Sequence, residues 1–369
     1  MTRSRANPIR VLVVDDSAVV RGILGRMVDA QDDMRVVTTA TNGVDALEAL
    51  RLHEVDVVLL DIEMPVMDGL AALPLIVKRH PRAQVIITSA LTQQGATVTM
   101  RALALGAVDY VHKPNARDGG VFGVENAAAR IISKVRAIAN SHSAGGPASS
   151  SAKASPAHEA RAEDRSRTQN TLPDFEPQVV VIAASTGGPN ALATVIAGLP
   201  RDFPLPVLVT QHMPPIFTTM FAQRLAREGS LPCEEAKDGE ALEGGRVYVA
   251  PGDRHLTVSG HGLVRAATLR VTDDPPEHHC RPAADPMFRS AALAFPNGVL
   301  AIVLTGMGED GRTGCEAIVA AGGRIIVQDE ASSVVWGMPG SVVGAGIPCS
   351  IVPLHSISAH VTSACCVKS

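Results

Sequence analysis

The chain of 369 residues is long enough for about two to three ordinary domains, so a single small module is excluded. Hydrophobic residues make up 46% of it, whereas aromatic residues make up only 3%. This composition is typical of parallel sheets covered by helices. The formal net charge of −4 gives no basic footprint, so we expect neither nucleic acid nor an anionic membrane surface as a partner.

The cysteines and the hydropathy pattern indicate a compartment. The 6 cysteines are scattered, without the paired short spacings of a zinc site or a disulfide scaffold. No apolar run approaches the roughly 20 residues that span a bilayer, and Val11–Val14 is too short for the core of a signal peptide. We therefore expect reduced thiols, a cytoplasmic protein and no direct membrane insertion.

Residues 1–140 alternate short apolar runs with amphipathic stretches, which is the pattern of successive βαβ units. The predicted strands are Ile9–Val14, Met34–Ala40, Asp56–Leu60, Gln84–Thr88 and Val108–Val111. A helical pattern closes the unit at Asn126–Ala139. These elements predict one α/β domain of the doubly wound, flavodoxin-like class.

Residues 141–176 are rich in Ser, Ala, Pro and charge, and their only large apolar side chains are Leu172 and Phe175, so a flexible linker is predicted. From 177 to 369 the alternation resumes, and Arg246–Arg265 also looks like a hairpin, so some antiparallel pairing within the sheet is expected. The predicted strands are Val179–Ala183, Pro206–Gln211, Arg246–Ala250, Gly298–Thr305 and Arg324–Gln328. A second α/β domain with a mostly parallel sheet follows from this pattern.

Polar side chains end the strands of the first domain: Asp15, Asp16, Asp61, Ser89 and Lys113. The carboxyl ends of parallel strands meet at one edge of a sheet, so these groups should converge. Carboxylates forced together repel, and a hard cation such as Mg²⁺ relieves the repulsion. One Asp-Asp or Asp-Gly pair alone would be better explained as a helix cap or a turn. Their coincidence at several strand ends favours a phosphoryl group held on a carboxylate.

Three motifs give the first domain a family resemblance: Val-Leu-Val-Val-Asp-Asp-Ser, Leu-Leu-Asp-Ile-Glu-Met-Pro-Val-Met-Asp-Gly and Tyr-Val-His-Lys-Pro. Over about residues 9–135 the chain resembles the receiver domain of bacterial response regulators. The resemblance implies phosphorylation by a histidine kinase and these positions: the phospho-acceptor Asp61, the Mg²⁺ ligands Asp15, Asp16 and Asp61, and the switch residues Ser89, Tyr110 and Lys113. Thr88 is an alternative to Ser89, although the Ala-Leu-Thr that follows fits the family with Ser89 in register.

Polar residues also follow the strands of the second domain. Ser185 begins a glycine turn before a predicted helix, where backbone N–H groups can stabilise an oxyanion. His212 ends the next strand, and Asp310 lies in the turn after the strand that ends at Thr305. A nucleophile, a base and an orienting carboxylate at one sheet edge predict a serine hydrolase.

Each member of this triad has a simpler explanation when taken alone. The glycine turn could bind a phosphate, but the G-x-G-x-x-G, G-x-x-x-x-G-K-[ST] and G-x-S-x-G patterns are all missing. A lone His212 is more often structural, and Asp310 could cap the helix that follows it. A nucleotide-binding output would leave both residues unexplained, and a DNA-binding output would need a basic helix-turn-helix.

Four motifs of the second domain also carry a resemblance: Ala-Ser-Thr-Gly-Gly-Pro, Gln-His-Met-Pro, Tyr-Val-Ala-Pro-Gly and Leu-Thr-Gly-Met-Gly-Glu-Asp-Gly. With these motifs the domain resembles the catalytic domain of the chemotaxis protein-glutamate methylesterases, the CheB family. The resemblance implies a phosphorylation-activated hydrolase that demethylates glutamyl methyl esters on chemoreceptors and deamidates glutamines. It implies catalytic roles for Ser185, His212 and Asp310, places Thr186 and Met307 beside the oxyanion and the imidazole, and implies no cofactor in this domain.

One stretch departs from the family pattern. Arg-Pro-Ala-Ala-Asp-Pro-Met-Phe, which begins at Arg281, stands where Arg-Pro-Ser-Val-Asp-x-Leu-Phe is more usual. The changes at Ala284 and Pro286 concern the fit of the substrate rather than the triad. The preceding His278-His279-Cys280 is not expected to bind a metal, because adjacent side chains splay apart.

Overall fold

The computed structural model describes residues 7–90, 92–113, 120–143, 175–260 and 262–365. Most of the predicted linker, 144–174, lies outside these residues, so the division of the chain at 140 and 177 stays a prediction. No helix among the described residues is both long and apolar enough to cross a membrane.

The first sheet has the order β2-β1-β3-β4-β5, and all of its pairs are parallel. Its strands are β1 (Ile9–Val14), β2 (Met34–Ala40), β3 (Val57–Asp61), β4 (Gln84–Ser89) and β5 (Asp109–His112). The helices between and after them are α1 (Ala18–Asp29), α2 (Gly43–Leu52), α3 (Gly69–Arg79), α4 (Gln93–Ala104) and α5 (Gly120–Ser143). The doubly wound fold is therefore confirmed.

Four helices of this unit start at residues whose side chains accept a backbone N–H bond, and these caps are Ser17, Asn42, Asp68 and Thr92. Such caps satisfy N–H groups that a helix leaves unpaired in its first turn. Three of them, Ser17, Asp68 and Thr92, begin helices that follow β1, β3 and β4. The polar residues that end these strands lie at one edge because the strands pair in parallel.

The second sheet is parallel throughout, in the order β14-β13-β12-β6-β7-β9-β8. Its strands are β6 (Val179–Ala184), β7 (Val207–Gln211), β8 (Cys233–Glu235), β9 (Val247–Val249), β12 (Val299–Val303), β13 (Arg324–Gln328) and β14 (Ser350–Val352). Its helices are α6 (Gly188–Ala197), α7 (Phe217–Glu228), α8 (Ala284–Ala294), α9 (Arg312–Ala320), α10 (Gly337–Gly344) and α11 (Leu354–Cys365). The prediction of an α/β domain with a mostly parallel sheet is confirmed.

The hairpin lies later in the chain than the sequence pattern indicated. The antiparallel pair is β10 (His255–Ser259) with β11 (Thr268–Thr272), which forms a separate sheet. The chain reverses between them near Gly260 and Gly262, whose φ angles of 144° and 73° suit glycine. β9 is buried at every residue, as a central parallel strand requires, and so is no part of the hairpin.

Candidate active site and acidic pocket

Ser185 and His212 leave neighbouring strands at the same level of the second sheet. Ala184 of β6 pairs with Gln211 of β7, and the residues that follow them are Ser185 and His212. The N–H of His212 donates to the Ala184 carbonyl at 3.2 Å, and the N–H of Ser185 donates to the Thr305 carbonyl after β12 at 3.1 Å. The ends of three adjacent strands therefore meet around Ser185.

The turn after Ser185 requires its glycines. Gly187 has a φ of 77°, and a Cβ there would lie 2.6 Å from Val334, while a Cβ on Gly188 would lie 2.1 Å from the Gln211 side chain. Within the described residues, the N–H groups of Thr186 and Gly187 make no backbone hydrogen bond, and they lead into α6. Such free N–H groups at a helix start can stabilise an oxyanion.

His212 and Asp310 are in direct contact, with His212 Nε2 2.7 Å from Asp310 Oδ2. Asp310 also accepts the N–H of Ala284 at 2.6 Å and that of Asp285 at 3.0 Å. These N–H groups begin α8, so the buried carboxylate lies at the positive end of a helix. Asp310 does not cap the helix that follows it, because the N-cap of α9 is Gly311. Burial would raise the pKa of Asp310, but its contacts with His212 and these N–H groups lower it.

The other ring nitrogen of His212 faces a cysteine. Nδ1 lies 3.5 Å from Cys280 Sγ, whereas Ser185 Oγ makes no hydrogen bond among the described residues. Burial would lower the pKa of His212, but the contacts with Asp310 and Cys280 raise it to about 10. The structure thus joins the predicted base to the predicted carboxylate and places the predicted nucleophile beside them, without a bond to the ring.

The supporting residues Thr186 and Met307 both lie near the serine. Thr186 is buried, and its carbonyl accepts the Thr305 hydroxyl at 3.0 Å. Met307 is 38% exposed. It follows Gly306, and a Cβ placed on Gly306 would lie 2.9 Å from the Cβ of Ser185. Both therefore border the edge, and their predicted roles beside the oxyanion and the imidazole stay predictions.

Two residues of the site were missed by the sequence analysis. Gln211 Nε2 donates to the carbonyls of Ser185 and His212, at 3.0 and 3.3 Å, and so ties the two strand ends together. Its position before His212 in the Gln-His-Met-Pro motif is a signal that could have indicated this role. Cys280 lies 68 residues from His212 in the chain, and no pattern in the sequence links them.

The departures at Ala284 and Pro286 leave the Asp310 contacts intact. Ala284 contributes its N–H, which any residue except proline would supply. Pro286 lies in the first turn of α8, where a helix does not need the missing N–H. His278 Nε2 contacts Asp285 at 2.9 Å, whereas Cys280 Sγ faces His212 Nδ1 at 3.5 Å. Because His278, Asp285 and Asp310 bring possible ligand atoms within 4.8 Å of one another, the expectation that this stretch binds no metal stays a prediction.

The acidic residues of the first sheet also come together. Asp15, Asp16 and Asp61 offer carboxylate oxygens within 4.8 Å of one another, and Lys113 Nζ lies 2.9 Å from Asp15 and 2.8 Å from Asp61. Burial raises the pKa of Asp61, Lys113 opposes this, and Asp15 adds to it. An all-oxygen donor set with this excess of carboxylates fits Mg²⁺, which prefers oxygen ligands.

The predicted switch residues lie beside this pocket. The Ser89 hydroxyl accepts the Thr99 hydroxyl of α4 at 2.7 Å, and Thr88 pairs with Asp61 in the sheet and is buried. Tyr110 is buried and points towards the second unit. The assignment of Ser89 rather than Thr88 as the switch hydroxyl stays a prediction.

Tyr110 and His112 of the first unit pack on Phe217 of the second. The rings of Tyr110 and Phe217 stack with centroids 4.8 Å apart, and His112 meets Phe217 edge-on at 5.2 Å. A cavity of about 50 Å³ beside them is lined by Tyr110, His112, Lys134 and His212, among others. The side of the second sheet edge that bears His212 therefore faces the first unit.

Comparison with known proteins places this geometry in a family. The chain matches the response regulator receiver domain over residues 11–120 and the CheB methylesterase domain over residues 180–361. The protein-glutamate methylesterase/protein-glutamine glutaminase of group 2 operon from Rhodospirillum centenum is 42% identical over 370 residues, which cover 95% of this chain and 93% of the relative. The chain belongs to the CheB methylesterase family.

Other members of the CheB family are similarly close. The protein-glutamate methylesterase/protein-glutamine glutaminase 1 of Paramagnetospirillum magneticum is 44% identical, over 95% of this chain and 94% of its own. The crystal structure of the Thermotoga maritima CheB methylesterase catalytic domain is 37% identical and covers 51% of this chain and 98% of that domain, with a TM-score of 0.49. The strand ends with Ser185, His212 and Asp310 all lie within the span that matches the CheB methylesterase domain.

Proposed function

We propose that this protein is a phosphorylation-activated protein-glutamate methylesterase that acts on chemoreceptors and also deamidates their glutamine side chains. The observation that carries the proposal is the His212–Asp310 contact at the sheet edge where Ser185 begins its glycine turn. The names of relatives that are 42% and 44% identical over nearly the whole chain support the substrate class.

Catalysis begins at Ser185, whose hydroxyl attacks the γ-carbonyl of a glutamyl methyl ester. Its proton passes to Nδ1 of His212, because Nε2 is bound to Asp310. The N–H groups of Thr186 and Gly187 stabilise the oxyanion. The same proton then leaves with methanol, water hydrolyses the acyl-enzyme, and the glutamate is restored. A glutamine amide is attacked at the same carbon and releases ammonia.

Asp310 orients the base and stabilises its charge. The ring of His212 becomes an imidazolium when it accepts the serine proton, and the carboxylate 2.7 Å away favours that state. Asp310 is itself held by the two N–H groups that begin α8. The orientation of the ring therefore depends on a fixed helix end rather than on a flexible side chain.

The acidic pocket receives the regulatory phosphoryl group. A histidine kinase donates it to Asp61, and Mg²⁺ held by Asp15, Asp16 and Asp61 would neutralise the phosphoryl oxygens. Lys113 already contacts Asp61 and Asp15, so its ammonium is placed to pair with the phosphoryl group. Such a donor and the chemoreceptor substrate would place the protein in the cytoplasm.

Phosphorylation relieves a cover over the catalytic edge. The phosphoryl group draws Ser89 away from Thr99, which shifts α4 and loosens the stacking of Tyr110 on Phe217. The cover is a population effect, because a closed form favoured by about 1.4 kcal/mol leaves about a tenth of the molecules open. Uncovering alone can then raise activity by about tenfold at most.

The decisive assay is release of methanol from membranes that carry methylated chemoreceptors, with and without a small-molecule phosphodonor and Mg²⁺. Ser185→Ala should lose activity by about 10³-fold or more while remaining folded, because it deletes a nucleophile and little packing. Ser259→Ala, at an exposed serine of β10, is the matched control and should behave as wild type. Asp61→Asn should keep the basal rate and lose the stimulation. Retention of most of the esterase rate by Ser185→Ala would overturn the proposal.

A further inference from the structure

Both ring nitrogens of His212 have a partner, and neither partner is the serine. Nε2 contacts Asp310 at 2.7 Å, and Nδ1 contacts Cys280 Sγ at 3.5 Å, a normal distance for a sulfur hydrogen bond. Ser185 Oγ has no hydrogen-bond partner among the described residues. The nitrogen that must take the serine proton is thus the nitrogen that faces the thiol.

A turn with unusual backbone geometry holds Cys280 in place. Cys280 and Glu277 exchange two backbone hydrogen bonds, and His278 and His279 between them have φ angles of 50° and 61°. Two consecutive positive φ angles are typical of a type I′ turn, which favours glycine or asparagine over histidine. Such a conformation persists only where the surroundings impose it.

Two side-chain contacts with α8 impose this conformation. Glu277 forms a bidentate ion pair with Arg289, at 2.6 and 3.0 Å, and His278 Nε2 contacts the buried Asp285 at 2.9 Å. The helix whose first N–H groups fix Asp310 therefore also fixes the turn that carries Cys280. Asp310 and Cys280, which contact the two ring nitrogens of His212, are therefore both positioned by α8.

Cationic and neutral groups face His212 from the first unit, across the cavity between the units. Lys134 and Arg130 of α5 line that cavity, and Lys134 is paired with Asp109 at 2.7 Å. His112 of β5 also lines it, and burial lowers the pKa of His112 to about 3, so it is neutral. The groups in contact with the ring are therefore Asp310 at Nε2 and the Cys280 sulfur at Nδ1, and both contacts raise the pKa of His212.

We propose that Cys280 is a positioning residue that holds His212 by Nδ1 and competes with Ser185 for that nitrogen. Cys280 thereby sets the pH at which activity falls on the acidic side of the esterase's pH profile, here called the acid limb. This inference rests on the proposed function, in which Ser185 is the nucleophile and His212 the base. Turnover then requires Nδ1 to lose its proton and exchange the thiol for the serine hydroxyl. While the ring is bound to the sulfur, Nδ1 of His212 is not available to accept the serine proton.

The test is the pH profile of methanol release by the full chain, in wild type, Cys280→Ala and Cys280→Ser. Without the sulfur the protonated ring loses a partner, so we expect the acid limb of kcat/KM in Cys280→Ala to move about one unit lower. At a pH on that limb, the rate would rise by about tenfold. Cys280→Ser keeps a smaller polar group and should lie between the two. Cys349→Ala changes a free, partly buried cysteine directly before the edge strand β14 and should match wild type.

A second readout separates this proposal from a merely structural role. The ¹⁵N resonances of the His212 ring, followed through a pH titration, should show Nδ1 protonated to a higher pH in wild type than in Cys280→Ala. An ordinary titration near the free-histidine value in wild type would overturn the proposal without the need for any variant. An acid limb that is identical in wild type, Cys280→Ala and Cys280→Ser would overturn it as well.

Ser185→Ala run in parallel distinguishes the two levels of inference. If Ser185→Ala is inactive and the Cys280 variants leave the acid limb unmoved, only the role of Cys280 is wrong. If Ser185→Ala retains the esterase rate, the proposed function itself fails.

Discussion

Replacing Asp310 by asparagine tests the carboxylate that orients the base. Asp310 accepts N–H groups from His212, Ala284 and Asp285. An amide has one acceptor oxygen, so its NH₂ must face at least one of these donors, and the unpaired buried donor costs about 1–3 kcal/mol of stability. The charge that stabilises the imidazolium is lost as well. We expect kcat to fall by about 10²- to 10⁴-fold, which is about 3–5 kcal/mol of transition-state stabilisation.

The assay compares methanol release at saturating receptor with the free energy of unfolding in urea. Asp285→Asn is the matched control, because Asp285 is equally buried and lies at the same helix start but contacts His278 instead of His212. It should lose similar stability and far less turnover. Removing the carboxylate also lowers the pKa of His212, so the residual activity of Asp310→Asn should extend to lower pH. A folded Asp310→Asn protein with kcat within about fivefold of wild type would refute the role assigned to Asp310.

Three further predictions concern pH, phosphorylation and domain coupling. The pKa of His212 is raised from 6.5 to about 10 in the folded protein, so its stabilising contribution is complete below pH 6.5 and disappears as the pH rises to about 10. Urea unfolding should therefore show wild type and His212→Gln converging over that range; a constant gap would contradict it. Asp61 should acquire an acid-labile phosphoryl label only with Mg²⁺, so label in Asp61→Asn or in excess chelator would disprove the acceptor. A fragment of residues 177–369 should exceed the unphosphorylated chain by up to about tenfold and ignore the phosphodonor, whereas equal rates would indicate activation by the phosphorylated receiver.

Strand ends were the part of the site that the sequence could predict. The end of a short continuous apolar run predicts where a buried parallel strand stops, and the polar residue there lies at the sheet edge. The positions of Ser185, His212 and Asp61 at the sheet edges could be predicted on that basis, whereas their roles stay predictions. The convergence of β6, β7 and β12 around Ser185 then follows from the parallel order of the sheet.

Contacts made by irregular segments could not be predicted in this way. The Glu277–Cys280 turn has no periodicity, and its conformation depends on Arg289 and Asp285, which follow it in the chain. Helix-start preferences left open whether Asp310 caps its own helix, and in the structure the carboxylate binds the start of α8 instead. Local propensity cannot distinguish these outcomes, because both place a carboxylate at a helix N-terminus.

The loop between His212 and Phe217 joins the predicted base to the contact with the first unit. Phe217 begins α7 and stacks on Tyr110, while Ile216 before it has a φ of 73°. Gly252 packs against this loop so closely that a Cβ there would lie 2.2 Å from the Pro215 nitrogen. We therefore expect this short loop to transmit a movement of Phe217 to His212 instead of absorbing it. Release of Tyr110 on phosphorylation should therefore alter the base as well as expose it.

Uncovering and release of the base leave different kinetic signatures. Pure uncovering raises the fraction of open molecules and scales the whole pH profile by one factor. A changed His212 environment moves the acid limb of the profile, because that limb reports the base of the free enzyme. Phosphodonor should therefore both raise the plateau and shift the acid limb in the full chain. An increase in the plateau with an unmoved acid limb would show that the receiver acts as a cover alone and that the loop from His212 to Phe217 carries no signal.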